Sequence, residues 1–179
     1  MVLENRFNKL IEARHGTILY NKNDIYIGKS IEKYGEFSYL EAKIFEQICK
    51  DGDVVIEVGA NIGAHTLYLS KLVGNGYVFA FEPQRLVFQN LCANLALNSI
   101  SNVFAYQEAV SNENGTIIIP ECNFKENNNF GGINIENTKN GTTVNRQKLD
   151  NFFNKIDRLK LLKIDVEGME ISVIKGASE

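Results

Sequence analysis

Four carboxylates stand where four successive β-strands are predicted to end. The strands read as Val54–Ile56, Tyr77–Phe81, Val103–Tyr106 and Leu161–Ile164, and the acids are Glu57, Glu82, Glu108 and Asp165. In an open α/β sheet the ligand lies outside the carboxyl ends of the strands. A rim of four acids without Lys or Arg repels a phosphate. It suits a ligand that bears positive charge and free hydroxyls.

The elements that would position these acids follow a β-α-β-α-β rhythm. Asp53 to Glu57 is a short, buried strand running into Val58-Gly59-Ala60-Asn61-Ile62-Gly63, with a helix to Leu72. The strand Tyr77–Phe81 leads to Glu82-Pro83 and a helix with Leu86, Leu91, Cys92 and Leu95 inward, ending near Asn98. The third strand reaches Glu108-Ala109-Val110. This order implies a parallel, doubly wound sheet with strand order 3-2-1-4. Upstream, Thr17–Tyr20 and Ile25–Ile27 flank Asn21-Lys22-Asn23-Asp24 and predict a hairpin. Ser38 with Glu41 predicts a capping box, opening a helix with Leu40, Ile44, Phe45 and Ile48 on one apolar face and Gly52 at its end. Downstream, Thr116–Pro120 reads as a strand, Asn123–Asn140 as a polar loop that serves as a lid, a binding loop or plain surface, and Thr142–Asn145 as a returning strand. Asp150–Ile156 looks helical, and a last helix runs to Lys175. Residues 1–37 form a hairpin and entry segment and residues 38–179 a Rossmann-like unit, together one domain.

The 179 residues, 44% hydrophobic and 23% charged, suffice for one packed core. A net charge of −3 leaves no electrostatic footprint for nucleic acid. No apolar run approaches the roughly 20 residues of a membrane span, and the first residues lack a signal-peptide pattern. Cys49, Cys92 and Cys122 are odd in number and scattered, which suggests neither a disulfide framework nor a zinc site. Reduced thiols and a cytoplasmic location are the expectation.

Gly59-x-Asn61-x-Gly63 departs from the dinucleotide fingerprint, because Asn61 replaces the glycine that would let the backbone approach a pyrophosphate. A ligand with an amino-acid end fits better: backbone N–H groups at the helix start take its carboxylate, and Glu57 its ammonium. Glu82, about 20 residues past the turn, is where an acid grips ribose hydroxyls, with Pro83 stiffening the bend. Glu108 is placed to accept from an adenine amino group. S-adenosylmethionine carries all of these features. Blander readings stay open: Gly59 and Gly63 closing a tight turn, Glu82 as a solvated acid at a helix start, Tyr34 and Phe37 as packing residues, Glu36 as a cap, and His65 as structural.

Further segments carry a resemblance. Asp53-Val-Val-Ile-Glu-Val-Gly-Ala-Asn-Ile-Gly-Ala-His-Thr66 is similar to the first motif of the FkbM-type methyltransferases. Glu82-Pro83 resembles their second motif, and Ala109 to Gly115 the segment after their third strand. Val144 to Phe152 resembles the stretch before their fourth strand, and Tyr34-Gly35-Glu36-Phe37 an entry motif in one branch. Lys163-Ile-Asp-Val-Glu-Gly-Met-Glu170 with Lys175-Gly-Ala177 resembles their "K-I-D-V-E-G-x-E…L-K-G-A" signature. The resemblance covers roughly residues 16 to 177. It implies a class I, Rossmann-like fold and S-adenosylmethionine-dependent O-methylation of sugars, glycans or polyketide-like natural products. The candidate cofactor-binding residues are Glu57, Gly59, Ala60, Asn61, Gly63, Glu82, Pro83, Glu108 and Ala109. Asp165 and Glu167, expected near the transferred methyl, are the candidate general bases, with order of the strand–helix turn and a helix cap as their structural readings. No metal is expected. Such folds usually carry seven strands. Four here leave Leu161–Ile164 on an edge, which suggests a fragment or a C-terminally shortened member, or else an edge covered by a partner chain, a second copy or the N-terminal hairpin. Two further readings stay open: a non-catalytic module that binds the cofactor or a partner, and a dinucleotide-dependent oxidoreductase.

Overall fold

The computed structural model describes residues 3–133, 140–156 and 158–178. The chain opens with a three-stranded antiparallel meander: β1 (Leu3–Glu4), β2 (Asn8–Ala13) and β3 (Gly16–Asn21). Two helices follow, α1 (Ile27–Tyr34) and α2 (Tyr39–Ile48). The central unit then alternates β4 (Val54–Val58), α3 (Thr66–Val73), β5 (Tyr77–Phe81), α4 (Arg85–Leu97) and β6 (Val103–Tyr106). β7 (Ala109–Val110), β8 (Gly115–Ile119) and β9 (Thr142–Gln147) form a small second sheet in the order β7-β9-β8. A 3₁₀ segment (Leu149–Lys155), β10 (Leu161–Ile164) and α5 (Glu170–Lys175) complete the described chain.

The central sheet is parallel throughout, ordered β10-β4-β5-β6, which is the expected 3-2-1-4. β4 is apolar on both faces because both faces are covered. Val55 packs with Val78, Phe45, Leu69 and Val73 on the side of α2 and α3. Ile56 and Val58 pack with Phe81, Phe152 and Val173 on the other side. β10 is an edge strand, and among the described residues no strand pairs with its outer side.

Five local expectations are corrected. The hairpin joins β2 to β3 around Arg14 and His15, one strand earlier than predicted. Ile25–Ile27 is no strand: the Asp24 carboxylate accepts the N–H groups of Tyr26 (2.9 Å) and Ile27 (3.1 Å), which turns the chain into α1. Ser38 makes no capping bond, since its backbone is left-handed (φ 50°) rather than extended, and Glu41 reaches His65 instead. On α2 only Ala42 and Phe45 are buried, whereas Leu40 is 73% exposed, and the helix stops at Ile48, before Gly52. Cys92 on α4 is likewise exposed, because Val87, Leu91, Asn94 and Leu95 form the inner face.

Asn94 is fully buried for a reason. Its amide accepts the Leu19 N–H (2.6 Å) and donates to Leu19 O (3.0 Å) and Ile62 O (2.8 Å). One turn on, Asn98 accepts from Thr17 N–H (2.9 Å) and donates to Thr17 O (2.7 Å). Two amides at i and i+4 thus pair the free edge of β3 as a neighbouring strand would. They dock the meander on α4, away from the β10 edge, with which it forms no strand pairing among the described residues.

Candidate functional site

The site is built where β4 and β5 end. Gly59, Asn61 and Gly63 all have left-handed backbones, at φ 83°, 51° and 84°. The N–H groups of Gly59 (2.9 Å) and Ala60 (3.0 Å) both donate to Phe81 O and tie the turn to the end of β5. A Cβ on Gly59 would lie 2.0 Å from the Asp165 carbonyl oxygen, so only glycine lets the first turn and the end of β10 come together. Glu82 sits directly beneath. One carboxylate oxygen accepts the Asn61 N–H (3.0 Å) and the other the Gln84 N–H (2.8 Å). Only 3% of the residue is exposed, and burial pushes its pKa up to about 7 despite those two bonds.

Above lies a cleft of about 360 Å³, within the usual range of small-molecule sites. Gly59, Asn61, Glu82 and Pro83 form its floor, and Asp165 and Glu167 after β10 one wall. Tyr26, Phe37 and Glu41 form a second wall. The third is a strap, Asn129 to Ile133. Its described part is tethered rather than loose: Gln84 Nε2 donates to Phe130 O (2.8 Å), and the side-chain amides of Asn21 (2.9 Å) and Asn23 (3.0 Å) donate to Phe124 O. Phe130 is buried and stacked on Phe124, centroids 4.5 Å apart. Within the expected loop Asn123–Asn140, Asn129 and Gly131 to Ile133 thus line the site, and residues 134–139 lie outside the described part.

The candidate residues separate into groups. The structure brings Gly59, Asn61, Glu82, Pro83, Asp165 and Glu167 to one cleft. Ala60 and Gly63 shape the turn from behind; a Cβ on Gly63 would meet Leu91 at 2.6 Å. Glu57 is elsewhere. β4 runs to Val58, so Glu57 is an interior strand residue, 1% exposed beneath the turn, and does not line the cleft. Thr66 Oγ1 donates to it at 2.6 Å, and Lys163 Nζ lies 3.6 Å away. This corrects the expectation that the crown lacks a basic partner. Lys163, opposite Glu57 in register, reaches Asp165 Oδ2 as well (3.3 Å). A lysine inside an otherwise apolar strand signals such a buried partner, and that clue was present in the sequence. Burial raises the Glu57 pKa, with Lys163 and Thr66 opposing. Glu108 is half-buried just past β6; one of its carboxylate oxygens is buried with no hydrogen-bond partner among the described residues, and it does not line the cleft. Ala109 is buried in β7, pairing with β9.

Among the residues of open role, Glu36 turns away to Arg14 (3.1 Å) and His15 (3.7 Å), and Tyr34 is exposed. Phe37 faces the cleft and packs on His65. His65 is buried, its Nε2 3.2 Å from Phe37 O and 3.4 Å from Glu41. Burial pushes its pKa down to about 4, with nearby Lys163 acting in the same direction, so it is neutral at pH 7.

A parallel, doubly wound sheet with a glycine-bearing first turn, an acid after the second strand and a cleft over the carboxyl ends defines a class I, Rossmann-like methyltransferase fold. The model of the methyltransferase FkbM domain matches residues 57–179, and the chain belongs to that family. It is 28% identical to methyltransferase sdnD of Sordaria araneosa over 80% of this chain and 70% of that protein. It is also 28% identical to the hexuronic acid methyltransferase AglP of Haloferax volcanii, over 71% of this chain and 51% of the relative, about half its length. Among solved structures, TYW2 of M. jannaschii, in complex with AdoMet, is partly alike: TM-score 0.46, 18% identity, 62% of this chain and 53% of that one.

The cofactor of such a domain is S-adenosylmethionine, and the residues present fit it. The two Glu82 oxygens, each holding one backbone N–H, keep lone pairs for ribose hydroxyls.

Proposed function

We propose that the chain transfers a methyl group from S-adenosylmethionine to a hydroxyl of a sugar, glycan or natural product. The observation that carries this is Glu82: a buried carboxylate on the floor of a cleft that no Lys or Arg among the described residues lines, held by two backbone N–H groups and keeping further acceptor capacity. The family and a relative named for a hexuronic acid support a sugar as the class of acceptor.

The cofactor supplies an activated methyl on a good leaving group. The chain's part is alignment, worth effective molarities on the order of 10⁵ M or more, and removal of the acceptor proton. Asp165 and Glu167 take the general-base role in this reading, as they edge the cleft opposite Glu41. Lys163 fixes the orientation of Asp165 from below. Gly59, Asn61 and Glu82 hold the nucleoside, and Glu57 with Lys163 braces the turn.

Calorimetric titration with S-adenosylmethionine and S-adenosylhomocysteine tests the binding step, with Glu82→Ala expected to weaken both. Transfer of labelled methyl to a glycoside panel tests the reaction. No heat and no thermal shift with either ligand would sink the proposal.

A further inference from the structure

The part of the cleft left over by the nucleoside floor has a distinct chemistry. Glu41 comes from α2, Asp165 and Glu167 from the end of β10, and Tyr26 and Phe37 form an aromatic corner, their rings edge-on with centroids 5.9 Å apart. Tyr26 is 61% exposed, and its ring is available for stacking. Among the described residues no Lys or Arg lines this space. Lys163, below Asp165, is buried and already paired with Glu57 and Asp165. His65, behind Glu41, is neutral and offsets nothing.

We infer that Glu41, Asp165 and Glu167, with the Tyr26 and Phe37 rings, act as a charge filter: they admit hydroxylated acceptors that are neutral or carry an amino group and turn away those that carry a carboxylate or phosphate. This rests on the proposed methyl transfer and specifies its acceptor. Carboxylates accept bonds from sugar hydroxyls, and an aromatic ring takes the apolar face of a pyranose. An ammonium gains further from both the acids and the ring. An anionic acceptor meets Glu41 and Glu167, with Asp165 partly offset by Lys163, and among the described residues no Lys or Arg lines the space to compensate them.

The test uses the protein loaded with S-adenosylhomocysteine and three ligands that differ in charge: methyl glucoside, its 2-amino analogue and methyl glucuronide. Saturation-transfer and titration by NMR should rank the amino sugar first and the neutral sugar second. The glucuronide should bind roughly tenfold weaker or worse at low salt, with the gap closing as salt screens it. Glu41→Lys should narrow or invert the gap, and Glu41→Gln should halve it if the lysine variant does not fold. Glucuronide binding as well as the neutral sugar, or a gap that ignores both salt and Glu41, overturns the filter. So does binding of no glycoside at all. In each of these cases intact binding of S-adenosylhomocysteine leaves the methyltransferase proposal standing, whereas its loss overturns both.

Discussion

Glu82 should make cofactor affinity depend on pH in a way that one substitution removes. Its pKa of about 7 lies above its ordinary value of 4.5 because burial disfavours the charge. Ribose hydroxyls donate, so they favour the ionised carboxylate. Between pH 8 and pH 6 the ionised share falls from about nine-tenths to about one-tenth, so affinity should weaken roughly tenfold on the acid side. Binding at pH 6 should release close to one proton, about 0.9 on the same arithmetic. In Glu82→Gln this titration is gone, and at pH 8 the lost charge-assisted bonds cost roughly 1.5–3 kcal/mol, or about 10- to 100-fold in Kd. The sign for stability is opposite to that for binding. The folded protein holds the Glu82 proton more tightly than the unfolded chain, so the contribution is full below pH 4.5 and declines by about 3 kcal/mol as pH rises to about 7. Glu82→Gln should therefore gain on the wild type across that window. Calorimetry at pH 6, 7 and 8 in buffers of different ionisation enthalpy measures both Kd and protons released. The ligand's own ammonium titrates in both proteins, so the difference between them isolates Glu82. Identical pH profiles in wild type and Glu82→Gln, with identical proton release, would refute the reasoning.

Three further outcomes are expected. Lys163→Met strands Glu57 without its counter-ion and should cost roughly 3–5 kcal/mol at neutral pH, less as the pH falls and Glu57 takes up a proton; chemical denaturation at pH 5 and 8 measures this, and Glu57→Gln added to it should recover part of the loss. Gly59→Ala must fit a Cβ against the Asp165 carbonyl at a left-handed φ, so it should lose about 2 kcal/mol or more and cofactor binding with it, read by thermal shift with and without S-adenosylhomocysteine. Phe130→Ala empties a buried stacked position and should cost roughly 3–5 kcal/mol, with faster amide exchange appearing along residues 123–132, where the strap is anchored.

How much of this was legible in the sequence depends on the range of the interaction that decides it. β5, β6 and β10 match their predicted spans because apolar runs bounded by turn residues are a local signal. The chain around Ile25 was misread because the short β-like run Ile25–Ile27 carries no sign that Asp24 caps the residues after it. Leu40 and Ile44 were assigned to the core because periodicity shows that a helix has an apolar side, and not whether anything covers it.

The sequence by itself determined the parallel α/β architecture, its strand order and the acids Glu82 and Asp165 just past β5 and β10. Local hydrophobic patterning and the right-handed crossover rule leave few other arrangements for this order of elements. Tertiary structure alone decided which acids share a cleft. Glu57 and Glu82 belong to neighbouring strands, Glu57 inside β4 and Glu82 just past β5, yet one is sealed under the turn with Thr66 and Lys163 and the other, though buried, lines the cleft. That difference of position sets their partners and their charge, and it arises from contacts between residues far apart in the chain, which no local pattern encodes.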